Sequence, residues 1–142
     1  MDISHAVLTL WYISKPNAEE VLKTEPKADR GFGRKFLAQL DPTFPVTPIG
    51  QFPLNRSAQT DPNEYYIGGY PGITVVQTVC EGESVLLSQL PDTLLNAVPA
   101  QRVIALASNE KDGYAGFALW EGGELKRCLC ATREHLYDCL LY

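Results

Sequence analysis

The segment from Tyr65 to Val79 constrains the fold of this chain more than any other. It runs Tyr65-Tyr66-Ile67-Gly68-Gly69-Tyr70-Pro71-Gly72-Ile73-Thr74-Val75-Val76-Gln77-Thr78-Val79. β-Branched and aromatic residues, which suit a pleated and half-buried surface, stand on both sides of a Gly/Pro break. Pro71-Gly72 has the composition of the central pair of a type II turn: proline fixes φ near −65° and glycine takes the positive φ that follows. The spacing therefore predicts positive φ at Gly72, with Tyr70 aimed at solvent. Type II turns splay strands, whereas two-residue hairpins prefer the primed types, so a bend is expected and a tight hairpin is not required. Both strand segments are placed at the centre of one sheet. Gly68-Gly69 permits close approach of a backbone or a ligand; relief of strain and packing is the plainer account of the pair.

Before this segment, Ala6–Ile13 is a near-continuous β-rich run, expected inside the sheet with both faces buried. Asn17 is placed to cap a helix over 18–23, and Asp29 a second over 30–40, where Phe32, Phe36, Leu37 and Leu40 recur at helical spacing. Residues 41–63 are punctuated by five prolines, so Val46–Gln51 is at best an edge strand. Further on, Ser88–Leu95 carries helix-start signals. Arg102–Ala107 has the pattern of a buried strand, and Tyr114–Trp120 with Glu124–Cys130 that of a hairpin around Gly122-Gly123. These elements give an α+β class: a single globular domain over 1–142, with one mixed sheet of about five to seven strands and about two to four helices packed on it. Any parallel crossover should be right-handed.

The charge balance narrows the partners. The net charge is −5, and it is uneven: residues 41–100 carry one Lys/Arg against six Asp/Glu. No basic face points to nucleic acid or to an anionic membrane. No segment approaches the roughly 20 apolar residues of a membrane span. The run Ala6–Ile13 lacks the basic lead-in and the small-residue cleavage site of a signal peptide. Four cysteines without a secretory signal are expected to be thiols in the cytoplasm.

Few residues suggest chemistry. Cys128-x-Cys130-x4-His135-x3-Cys139 offers three thiolates and an imidazole, the soft set that zinc prefers. Strand residues two apart sit about 7 Å from each other, and buried free cysteine is common as a small hydrophobe, so no metal and no cofactor are expected. Cys80 has no histidine placed beside it by the sequence, and a cysteine nucleophile needs such a base. The carboxylates are scattered through turns, and no nucleophile elbow, P-loop or zinc-protease motif occurs.

Three stretches, in order, resemble an uncharacterised actinobacterial family of unknown function. They are Tyr66–Val76, Ser88-Gln89-Leu90-Pro91-x-x-Leu94-Leu95, and Phe117–Arg127 with its Ala-x-Trp-x-x-Gly-x-Leu-x-Arg pattern. The similarity runs from Ala6 to about Ala131 and implies no activity, cofactor or catalytic residue. Family members continue past this point, so Cys139-Leu140-Leu141-Tyr142 reads as either a truncation or a lineage-specific ending.

Three readings follow, the third being a zinc-stabilised module built on Cys128, Cys130, His135 and Cys139; the other two concern the first strand and the Gly-rich turn. The preferred one is a non-enzymatic cytoplasmic domain that binds a protein or peptide. The alternative is a small hydrolase with its site near the end of the first strand and the Gly-rich turn, where ligands favour open sheets. Both direct attention to Ser14, Lys15, Gly69 and Tyr70. Whether the domain is an enzyme at all, and its oligomeric state, stay open at this point.

Overall fold

The computed structural model describes residues 5–14, 23, 65–70, 72–81 and 85–140, with the side chains of residues 138 and 139 excepted. Seven strands account for most of them: β1 (His5–Ile13), β2 (Tyr66–Tyr70), β3 (Ile73–Glu81), β4 (Arg102–Asn109), β5 (Tyr114–Glu121), β6 (Glu124–Ala131) and β7 (Leu136–Leu140). They form one sheet in the order β2-β3-β1-β4-β5-β6-β7.

This architecture corrects the expected mixed sheet with two to four helices. Every pair is antiparallel. The reason is local: β4 to β7 follow one another through short turns, and short turns join only antiparallel strands. Helix among the described residues comes to a 3-10 turn at Leu87–Gln89, a four-residue helix at Asp92–Leu95, and the single residues Lys23 and Val85. The helix expected over Ser88–Leu95 is broken by its own proline. Leu90 precedes Pro91 and is extended, at φ −61° and ψ 138°, as steric conflict with the proline ring demands. The helices expected over 18–23 (Lys23 apart) and 30–40, and the weak strand Val46–Gln51, lie outside the described residues.

The Tyr65–Val79 segment does form two strands, but not at the centre. β2 is the last strand on its side of the sheet and β4 is the middle one. Tyr70 pairs with Ile73, which closes a two-residue hairpin, and Gly72 has φ 78°, the value of a type II turn's second central residue. The β5–β6 hairpin closes on Gly122 and Gly123, both at positive φ (59° and 82°), as the primed turn requires.

Register assigns the faces. Ala6, Leu8, Leu10 and Tyr12 of β1 share one face with Cys80, Val76, Val103, Ala105, Ala107, Trp120, Cys128 and Cys130, and all are buried. The other face of β1, from Val7 through Ile13, is only half-buried, so the expectation of equal burial on both sides fails. Side chains from β2 (Ile67) to β7 (Leu140) join a single core cluster. Cys80 of β3 and Cys130 of β6, with three strands between their own, belong to that one cluster, so this face of the sheet encloses a single core.

That face is covered by residues 85–98. Val85, Leu87, Leu90 and Ala97 of this strap are buried, and two tyrosine hydroxyls hold it from the sheet. Tyr114 Oη at the start of β5 donates to the Val85 carbonyl at 2.6 Å. Tyr12 Oη near the end of β1 donates to the Leu94 carbonyl, also at 2.6 Å. The strap thus runs from one end of the sheet to the other; the Tyr114 hydroxyl satisfies a buried carbonyl that would otherwise be costly, and the Tyr12 hydroxyl adds a second donor to a carbonyl that also accepts from Ala97 N–H.

Candidate functional site

The end of the sheet where β1 finishes gathers most of the expected site. Three backbone hydrogen bonds continue the ladder beyond the strands. Ser14 N–H donates to the Gly72 carbonyl (2.9 Å), Gln101 N–H to the Ile13 carbonyl (3.0 Å) and Gly122 N–H to the Gln101 carbonyl (3.1 Å). Ser14, the β2–β3 turn, Gln101 and the β5–β6 turn therefore form one row across four hairpin ends and linkers.

The expected residues are nonetheless divided. Ser14 is exposed, with its hydroxyl near the turn that its backbone braces. Gly69 pairs with Thr74 and Gly68 with Val75, so Gly69 and Tyr70 face opposite sides of the sheet. Gly69 is buried on the core face. Tyr70 is half-buried, and its ring lies across Gly68: a Cβ at Gly68 would stand 3.0 Å from Tyr70 Cε2. Such an aromatic covers a strand glycine, and this one is laid along the sheet instead of standing into solvent. Lys15 lies outside the described residues.

On the core-face side of the same end, the structure opens a cleft of about 340 Å³ that the sequence did not announce. One wall is the short helix with Asp92, Leu95 and Asn96; the linker with Val98 and Gln101 forms another, and Trp120 lines it from β5. The helix wall is set by Tyr12, whose hydroxyl holds the carbonyl of Leu94. Burial pushes that hydroxyl's pKa well above the usual tyrosine range, with the charge of Tyr65 adding to the effect, so it stays a donor at any ordinary pH. The only sequence cues to the cleft were the proline-bounded apolar run 94–99 and a tryptophan beside a Gly-Gly turn; both also fit simple packing.

Charge around the cleft is one-sided. Among the described lining residues Asp92 is the only ionisable one. At the β5–β6 turn beside it, each cation faces a carboxylate. Lys126 Nζ meets Glu124 Oε2 at 2.8 Å and Arg102 Nε meets Glu121 Oε1 at 3.7 Å. The Lys126 hydrogen bond holds the Glu124 carboxyl below its usual range. Among the described residues no ion pair is formed by Asp92.

The cysteine-histidine pattern does not assemble. Cys128 and Cys130 are fully buried in the core, while His135 is exposed and stacks on Tyr137 with ring centroids 6.0 Å apart. Cys139 pairs with Leu129 in the backbone register. Among the described residues no three His, Cys, Asp or Glu side chains are grouped to hold a metal ion. Cys80 is a packing residue. Its thiol donates to the Ala6 carbonyl at 3.4 Å, and burial pushes its pKa up to about 11, the opposite of what a nucleophile needs. No helix among the described residues is long and apolar enough to cross a membrane.

Residues 7–138 match a family model described as a family of unknown function (DUF6928). The chain belongs to this family. No curated protein and no solved structure matches the chain. The family resemblance seen in the sequence is thus supported across nearly the whole domain, and it brings no activity with it.

Proposed function

We propose that this domain of the family is a non-enzymatic cytoplasmic module that binds a protein or peptide, with the strap-end cleft as its contact site. The cleft carries the reading. It combines apolar walls from Leu95, Val98 and Trp120 with a few polar groups at Asp92, Asn96 and Gln101, the mixture typical of a binding pocket. Its size is at the small end of ligand sites, which run from about 300 to 1,000 Å³, and suits one inserted side chain. Ser14 and the β2–β3 turn extend the contact surface along the row of hairpin ends. Cys80, Cys128 and Cys130 are free thiols, as suits a reducing compartment.

Selection of displayed random peptides against the protein tests this. Ala100→Trp, which fills the cleft from a half-buried lining position, should weaken the selected peptides about tenfold or more. Equal binding to wild type and Ala100→Trp would remove the cleft from the function. Turnover of a simple ester that is lost in Ser14→Ala would instead favour the hydrolase reading.

A further inference from the structure

We infer that the cleft accepts a cationic side chain, a lysine or arginine of the partner, with its aliphatic stem against Leu95, Val98 and Trp120 and its charge at Asp92. This inference rests on the binding function proposed above and names the chemistry of the bound residue. Three observations lead to it. The cleft is small and has an apolar side at Leu95, Val98 and Trp120, which matches a stem of several methylenes. Among the described lining residues the only ionisable group is a carboxylate that is exposed at the surface. The cations nearest in sequence to its lining residues Gln101 and Gly123, Arg102 and Lys126, face Glu121 and Glu124 and do not neutralise Asp92. Asp92 also opens the first turn of its helix, a favourable place for any carboxylate. The test therefore varies the charge of the ligand and uses helix stability only as a control.

Two probes differ only at the tip: Nα-acetyl-lysine methylamide ends in an ammonium and Nα-acetyl-norleucine methylamide in a methyl group. Each is titrated into the ¹⁵N-labelled protein while the amides of Asn96, Gln101 and Gly123 and the Trp120 indole are followed. The lysine probe should move these resonances and bind about threefold to fivefold more tightly than its neutral counterpart, as expected for an exposed ion pair. Raised salt should shrink the advantage. Asp92→Asn should abolish it, with no more than the small fall in melting temperature expected when a carboxylate leaves the first turn of a helix. Equal affinity of both probes for wild type overturns the cation assignment and leaves an apolar binding slot. Absence of any shift at these four groups, with either probe, overturns the cation assignment together with the cleft itself.

Discussion

Two glycines show how one residue type answers different demands in this domain. Gly72 is required by backbone conformation: at φ 78° an L side chain is strained, so Gly72→Ala should cost more than the roughly 0.5–1 kcal/mol scale of glycine entropy effects. Gly116 is required by space. A Cβ there would lie 2.9 Å from Cys130 Sγ, 3.3 Å from the Leu129 carbonyl oxygen and 3.4 Å from Leu87 Cδ1. The sheet backbone on one side and the strap on the other leave little room to relax, so Gly116→Ala should destabilise by about 1–3 kcal/mol. The two causes separate in a double variant. Cys130→Ala shortens the nearest obstacle and should recover part of the Gly116→Ala loss, and none of the Gly72→Ala loss, in urea midpoints at constant slope. Recovery of both, or of neither, would mean that Gly116 is not held by contact with Cys130.

At the level of elements, the strap over residues 85–98 is the feature that turns a sheet into a domain with a cleft. Its helical pieces are too short to be stable alone, so its shape comes from the sheet through Tyr114 and Tyr12. Removing the Tyr114 hydroxyl leaves the buried Val85 carbonyl short of its donor, at about 1–3 kcal/mol, whereas the Leu94 carbonyl keeps the Ala97 N–H when Tyr12 loses its hydroxyl, at about 0.5–1.5 kcal/mol. Hydrogen exchange should show where. Tyr12→Phe should speed exchange at Asn96, whose amide is bonded to the Asp92 carbonyl, and spare Gln89, bonded to Leu86. Tyr114→Phe should do the reverse. Uniform acceleration in both variants would mean that the strap opens as one unit and that Tyr12 does not specifically shape the cleft wall. The sequence announced this element only in part. Ser88, Pro91 and the leucines signalled a helix, but Pro91 splits it, and a tyrosine's long-range hydroxyl bond leaves no periodic trace. Strands with a sharp local signature were legible: β1, β4 and the β5–β6 hairpin all formed where alternation and glycine turns placed them. β7 was missed because Leu136–Leu140 is five residues long and follows a polar Arg133-Glu134-His135 turn, which drew the reading toward metal ligands. Helix content and the mixed pairing were overestimated because strand order depends on which hairpins stack, and that is set by contacts far apart in sequence. Of the expected site, Ser14 and the glycine turn do meet at one end of the sheet, but Tyr70 was misdirected: its ring covers Gly68, a consequence of register that the turn alone does not fix.

For the molecule as a whole, the buried core makes stability sensitive to alkaline pH. Two of its buried donors are weak acids whose pKa values rise on folding. Cys80 moves from an ordinary 9.0 to about 11 through burial, which outweighs the lowering by two backbone hydrogen bonds; Cys130 and Glu81 add smaller upward pushes. Tyr12 is raised further still from its ordinary 10.0, by burial and then by Tyr65. In both cases the native state keeps a proton that the unfolded chain releases, so the unfolded state binds fewer protons and stability falls as pH rises. The Cys80 contribution is fully present below about pH 9 and is lost as pH climbs toward about 11; the Tyr12 contribution begins to fall above about pH 10. Each group can steepen the decline by at most about 1.4 kcal/mol per pH unit. Urea midpoints taken at intervals from about pH 8 to about pH 11 should therefore drop progressively in the wild type. Cys80→Ala starts from a lower midpoint, since it loses the bond to the Ala6 carbonyl, but its decline between about pH 9 and about pH 11 should be shallower than that of the wild type. Tyr12→Phe should instead be shallower only above about pH 10. If both variants trace curves parallel to the wild type across the whole range, the alkaline loss comes from surface charge, and neither buried group links proton binding to the fold.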